Sequence, residues 1–485
     1  MGGIARRFAW IGVAALAVGG VASAQEGGAE PPEPSPAAEA SAPAAPGPSS
    51  DRAAVEGKPP DGKARMGGLK GLKERYPGAE ENEFDQYPMG LGVERQPLRL
   101  WLLPVVSYTT DLGPMYGMLA TWKVTDADSG PTQGVRIAGF WSAKDAAQLR
   151  LQWERTPGPA GVHLFTEAHY GLVTYTPYFG IGNTVDPTPP TVSGLSAEDQ
   201  ALVDPFYTLL TSQTGSLSVV AQKGLGDPHK RVFAAARLRD FEIRPFDGAR
   251  ILEETGVDPG AGYESLVVEE HPFGLSGGFA PMLQLGAMSD SRKVNIAPAS
   301  GAFHEVSLRG MVYLPTDPTH EAQGLSTYAG VNVTLRRYVR LLGNWVLASR
   351  LVGDATFGDV PVFDLATFGA ISPYTGLGGT LAGRGLYLNH FVGKVKILWG
   401  PELRYTPITR ATQSGTMELS LAVFADSGRV WADWAPDGEG AGLHTGVGAG
   451  VRLLWSKRIM LRLDVAKALQ DDDPLGVYLV FGHPY

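Results

Sequence analysis

The run Ile459-Met460-Leu461-Arg462-Leu463-Asp464-Val465 alternates residue by residue. Ile459, Leu461, Leu463 and Val465 make one series, and Met460, Arg462 and Asp464 the other. Side chains of a strand point alternately to opposite faces, so this period specifies a strand with one apolar and one more polar face. The pattern recurs upstream. Leu149, Leu151 and Trp153 alternate with Arg150, Gln152 and Glu154, and Val331, Val333 and Leu335 with Asn332, Thr334 and Arg336. Leu419, Leu421 and Val423 alternate with Ser420, Ala422 and Phe424.

Two architectures satisfy this pattern: a secreted soluble β sandwich with apolar faces inward, or a membrane barrel with apolar faces outward. The alternating segments of about 8–11 residues suffice to cross a hydrocarbon core when tilted. Aromatics near segment ends, among them Trp101, Tyr108, Trp399, Trp431 and Trp455, suggest interfacial girdles. Charged residues inside strands suit a hydrated lumen and would be costly in a dry sandwich core. The fold class expected is therefore all-β, a transmembrane antiparallel β-barrel over 98–485. Sixteen strands leave about 24 residues for each strand and its connection, and fourteen or eighteen fit nearly as well.

Composition narrows the function. Zero cysteines among 485 residues exclude disulfide scaffolds, thiolate nucleophiles and zinc ribbons. A net charge of −9 without a Lys/Arg-rich run argues against nucleic-acid binding. With 63 glycines and a mean hydropathy of −0.06 the chain does not read as a polytopic helical membrane protein. Residues 1–24 read as a signal peptide: Arg6-Arg7, an apolar core, then Ala22-Ser23-Ala24. Residues 25–65 are Pro/Ala-rich and lack the apolar side chains to offset their ordering entropy, which predicts a disordered spacer. A short periplasmic segment follows over 66–97, with a helix expected over 66–75.

From about Ala280 the sequence also carries ordered motifs. These are Asp290-Ser291-Arg292 with Pro298 and Gly301, then Gly383-Arg384-Gly385-Leu386-Tyr387, Glu402-Leu403-Arg404, and Phe424-Ala425-Asp426-Ser427-Gly428. Gly446 to Arg452 and Leu463-Asp464-Val465-Ala466 complete the series. In this order they resemble the bacterial surface antigen family, the barrel shared by outer-membrane protein assembly factors and two-partner secretion transporters. The resemblance is clear over 280–485 and faint over 98–279, where Tyr178-Phe179-Gly180-Ile181-Gly182-Asn183 looks like a turn of the family. Two departures stand out. Gly383 precedes the motif arginine where the family has a larger residue, and the aromatic arrives one place late, at Tyr387. The family's periplasmic docking domains are not expected here.

Strand parity places Glu402 and Asp426 in the lumen, and Arg384 lies on a Gly-rich loop able to fold inward. A guanidinium engages carboxylates bidentately, so Arg384 and Gly385, with Glu402 and Asp426, are expected to pin a long extracellular loop inside the barrel. Val477, Leu479, Phe481 and Tyr485 share one face of the last strand, and Phe481 and Tyr485 resemble a C-terminal assembly signal. Pro484, Gly476 and Gly482 predict weak pairing where the last strand meets the first. Gly446 to Gly450 is read as close strand packing. Asp471-Asp472-Asp473 is read as a solvated turn, with calcium binding as the alternative.

No catalytic, cofactor or metal constellation is evident, and no enzyme activity or cofactor is expected. The resemblance implies insertion or translocation of protein or lipid at the outer membrane. The expected partners are outer-membrane lipid, the assembly machinery for the chain's own insertion, and client proteins, without nucleic acid. A passive or gated pore is the alternative.

Overall fold

The computed structural model describes residues 98–485 apart from 125–131, 157–160, 186–206, 247–273, 275–276, 293–295, 316–324, 413–414, 436–440, 456–458, 472 and 483–485. The signal peptide, spacer and short segment expected over 1–97 lie outside the described residues, as do Pro484 and Tyr485.

The strands run in chain order. The first half comprises β1 (Leu98–Thr109), β2 (Gly113–Val124), β3 (Thr132–Ser142), β4 (Ala146–Thr156), β5 (His163–Pro177), β6 (Leu209–Gly224), β7 (Lys230–Pro245) and β8 (Met282–Asp290, preceded by its detached piece Gly278–Phe279). The second comprises β9 (Gly301–Pro315), β10 (Ser326–Arg340), β11 (Trp345–Gly358), β12 (Val395–Thr412), β13 (Gly415–Trp431), β14 (His444–Trp455), β15 (Ile459–Ala468) and β16 (Gly476–Phe481). Each pairs antiparallel with the next, and β16 returns to β1, so the sheet closes into a sixteen-stranded barrel. A closed antiparallel sheet satisfies backbone donors and acceptors internally, which a hydrocarbon surrounding requires.

The two faces have opposite chemistry. Leu102, Met118, Leu283, Leu285, Leu308 and Val423 stand outward and exposed, while Arg350, Asp354, Lys396, Glu402, Asp426 and Asp464 on the lumen face are buried. A soluble protein does the reverse. The single closed sheet replaces the sandwich alternative, and its apolar exterior marks it as transmembrane. The strands differ from the expected 8–11 residues: β12 has 18 and β13 has 17, whereas β16 has 6. Ladders can continue beyond the hydrocarbon, so apolar period underestimates their length. The shift in register between Tyr405 and Ile408 flanks Pro407, which has no N–H to donate.

The lumen is not simply wet. The connection 359–394 between β11 and β12 turns inward with its own apolar core: Phe368, Leu377, Leu386 and Phe391 pack on Val352, Leu398 and Val430 of the wall. It contains two single-turn helices, α1 (Val362–Leu365) and α2 (Gly379–Ala382), and a two-residue ladder of Thr367–Phe368 with Tyr374–Thr375.

Candidate functional site: the inward connection and the barrel seam

Arg384, Glu402 and Asp426 meet as their parity suggests. The Arg384 Nε donates to Asp426 Oδ2 at 2.7 Å and Nη2 to Oδ1 at 3.2 Å, while Nη1 reaches Glu402 Oε2 at 3.0 Å. The Arg384 amide also donates to Asp426 Oδ2 at 3.1 Å, and the guanidinium lies 3.3 Å from the Phe424 ring centroid. All three side chains are fully buried. A buried charge persists only when paired and hydrogen-bonded, and here the pairing extends further than the sequence reading did. Asp464 on β15 takes a bond of 3.1 Å from Arg384 Nη1. Arg452 bridges Asp464 and Glu402, Arg404 donates to Glu402 Oε1 at 2.8 Å, and Arg462 and Arg350 approach Asp464 and Asp426. Five arginines thus surround three carboxylates.

Glycine makes the approach possible. A Cβ on Gly446 would stand 1.8 Å from the Arg384 carbonyl oxygen, and one on Gly450 1.9 Å from Asp464 Oδ1. The glycines of β14 therefore make room for the inward backbone and the ion cluster, not only for strand packing. Gly385 holds φ +98° with the Lys467 backbone 2.9–3.0 Å from where a Cβ would sit. Only glycine takes both that conformation and that space readily. Its amide donates to the Tyr478 hydroxyl of β16 at 3.1 Å.

Further anchors tie the rest of the connection. Arg239 of β7 grips Asp364 of α1 with two bonds of 2.5 and 2.6 Å, and the Tyr328 hydroxyl donates to the same carboxylate. Arg309 binds Asp354 bidentately at 2.9 and 2.8 Å, and Asp354 in turn accepts from the Gly369 amide at 2.8 Å. Glu305 accepts the Ile371 amide at 2.7 Å. Asp290 and Arg292 pair at 2.8 Å within their own strand end. Sequence reasoning identified neither the Asp364 nor the Asp354 anchor. The lumen-facing parity of Arg309 and Asp354 was available, but their meeting over the intervening β10 was not.

Leu386, at the place of the family's aromatic, is buried in the connection's core, while Tyr387 stacks on Phe179 at 5.4 Å. The Tyr178–Asn183 turn thus folds over the connection. Gly182 donates to the Val392 carbonyl, and Asn183 is held between the Gly442 carbonyl and the Val430 amide.

The reading of Asp471 to Asp473 as a solvated turn is corrected. Asp473 is buried, accepting from the Tyr387 amide at 3.0 Å and facing His390 Nδ1 at 2.8 Å; Asp471 faces His444 Nδ1 at 3.0 Å. Asp473 thus serves as an acceptor for the inward connection and Asp471 faces a histidine of β14, while Asp472 lies outside the described residues. Asp111, in the β1–β2 turn, accepts from the Leu388 amide at 3.1 Å. Burial raises its carboxyl pKa above the ordinary value, against the lowering effects of that amide and of Lys144. Among the described residues no group of three His, Asp or Glu side chains is placed to hold a metal ion.

The seam is thin. β1 and β16 share two register pairs, Tyr108 with Leu479 and Thr109 with Tyr478, extended by Thr110 N to the Val477 carbonyl at 3.1 Å. On its other side β1 pairs with β2 along its whole 12 residues. Pro104 adds no donor to the β1 edge. The inward connection touches both sides of this seam, through Gly385 on Tyr478 and Leu388 on Asp111.

No protein-family model and no curated protein matches the sequence. Solved barrels do match in shape. BamA from Haemophilus ducreyi lacking POTRA domains 1–3 superposes with a TM-score of 0.51 at 15% identity, covering 80% of this chain and 70% of that one. CdiB from Acinetobacter baumannii gives 0.46 at 11% identity over 80% and 60% of the two chains, and CdiB from Escherichia coli 0.47 at 11% over 85% and 73%. At 15% identity the likeness to BamA is one of fold: the chain is built as a sixteen-stranded barrel of that kind.

Proposed function

We propose that this chain is a bacterial outer-membrane barrel of the surface antigen type that aids insertion or translocation of protein or lipid through its β1–β16 seam. The observation that carries this reading is the contrast between a two-pair seam and a lumen filled by an anchored connection. A pore needs the lumen open, whereas here Arg384 and its partners hold the connection within it. At the seam, below Tyr108, the β1 edge has no further described pairing with β16. Unpaired backbone groups are costly in hydrocarbon and are templates for strand addition, so this edge favours an incoming strand. The contacts of Gly385 and Leu388 make the connection a latch on that seam. The chain's own route to the membrane, by signal peptide and assembly machinery with Phe481 and Tyr485 as the signal, belongs to the same reading, as does a role without catalysis.

The test is reconstitution into liposomes followed by insertion of a denatured test barrel. Insertion faster than into protein-free liposomes, with negligible steady conductance in planar bilayers, supports the proposal. Steady conductance without any stimulation refutes it in favour of a pore.

A further inference from the structure

The connection fills the lumen unevenly. Between it and the barrel wall, chiefly on the β1–β7 side, lies a cavity of about 540 Å³, within the size range of small-molecule sites. Its two walls differ in kind. On the wall formed by β16 and β1–β3, Val105, Ala138, Phe140 and Phe481 make an apolar strip along the cavity with Leu119 packed among them, and Ser107 and Thr109 of β1 lie beside it. A water-filled lumen gives no reason for such a lining, since the same strands already face outward with Leu102, Met118 and Ile137. The opposite side, β4–β7, carries Arg150, Arg237 and Arg239 with Glu167. In all, six arginines line the cavity against three carboxylates, Asp111, Glu167 and Asp364; Arg239 is paired with Asp364, and Arg150 stands 3.7 Å from Glu167. Arg150 and Arg239 flank a row in which His169 and Ser216 are successive register neighbours, and Arg237 stands beside Ser218 in the next row. The short serine side chains thus lie between Arg150 and Glu167 on one flank and Arg237 and Arg239 on the other.

From this juxtaposition we propose that the cavity binds an anionic single-chain amphiphile drawn from the surrounding bilayer, with its acyl chain along the apolar strip and its phosphate between Arg150 and Arg237. The inference rests on the proposed seam, because Val105 and Phe481 belong to the strands that meet there, which makes the apolar strip the inner lining of the entrance. Guanidinium forks match phosphate oxygens bidentately, and a partly desolvated cleft with more cations than carboxylates in its lining concentrates anionic ligands. The chain and head requirements are therefore separable.

The test uses the full chain in neutral detergent, with tritiated palmitoyl-lysophosphatidylglycerol as probe and heat-shifted gel mobility as the check on folding. Wild type binds it saturably. Arg150→Gln weakens binding about tenfold, the loss of one charge-assisted contact. Ser218→Trp, which puts a bulky ring beside Arg237, removes it while the folded band persists. Neutral monopalmitin binds at least about tenfold more weakly, and millimolar inorganic phosphate alone does not displace the probe. Equal binding of monopalmitin, or unchanged binding to a folded Ser218→Trp variant, overturns the proposal; displacement by phosphate overturns the acyl part. Lipid binding without stimulated barrel insertion refutes the insertion reading and leaves the lipid site standing. Stimulated insertion without saturable lipid binding does the converse.

Discussion

Replacing Arg384 with alanine perturbs the most heavily bonded side chain of the inward connection. Its guanidinium makes four hydrogen bonds to three buried carboxylates, of 2.7, 3.2, 3.0 and 3.1 Å. Charge-assisted bonds contribute roughly 1.5–3 kcal/mol each, but they do not add here, because Arg350, Arg404, Arg452 and Arg462 remain to compensate the carboxylates. The cost of removing one partner of a buried pair, about 3–5 kcal/mol, is the better guide. At 1.36 kcal/mol per decade, the undocked population of the connection rises by roughly two to four orders of magnitude. Proteolysis follows the open population when reclosing outpaces cleavage. Chymotrypsin is the suitable protease, since Tyr387 and Phe391 lie in the connection and Arg384→Ala removes a tryptic site. Liposome-embedded Arg384→Ala should be cut in 359–394 at least about 100-fold faster than wild type. Arg384→Lys, which keeps the charge and loses the fork, should recover only part of the protection. Cleavage rates within about threefold of wild type would refute the reasoning that these ion pairs hold the connection in place.

Three further outcomes follow from other contacts. Gly446→Ala leaves every charge intact but places a methyl group against the Arg384 carbonyl, so it should speed chymotryptic cleavage of the connection as Arg384→Ala does; unchanged protection would contradict the steric argument. Asp111→Asn keeps the acceptor for Leu388 and removes a charge whose folded-state pKa burial raises above 3.8. An acid with a raised folded pKa contributes most below its unfolded value and loses that contribution as pH rises through the folded one. Heat-modifiability should therefore show the variant more heat-resistant than wild type at pH 7, and the difference should vanish below pH 3.8; a difference that grows on acidification would refute this. Finally, because the chain has no cysteine, single Cys probes are free of background: brominated lipid should quench fluorophores at Leu421 and Leu463 and spare one at Ser420, and the opposite pattern would invert the barrel.

Strand alternation made the architecture legible. At Leu421, Val423, Glu402 and Asp426 it assigned the correct face, because a residue's side of a sheet is a local property. It could not say which lumen side chains meet across the barrel. Arg239 and Asp364 are 125 positions apart, and their pairing depends on where an inward connection comes to rest. Asp464 was read on the more polar face of its strand but not as a member of the Arg384 cluster, and Arg452 was noted only as the end of a glycine-rich run. Asp473 was misread because an acidic run usually faces water, whereas here the amide of Tyr387 and the ring of His390 supply its partners. The glycines of β14 were noted in sequence, but their purpose depends on the Arg384 backbone that lies against them. Weak pairing at the last strand was legible in part, through Gly476 and Gly482.

The central claim is that the β1–β16 seam must part for the protein to work. Tyr108 and Leu479 are direct register partners there, so Tyr108→Cys with Leu479→Cys places two thiols opposite one another in a chain with no others. Insertion of a test barrel into proteoliposomes, measured with the pair oxidised and again after reduction, decides the matter. The account predicts that the disulfide stops the stimulation and that dithiothreitol restores it. Equal stimulation in both states would contradict it.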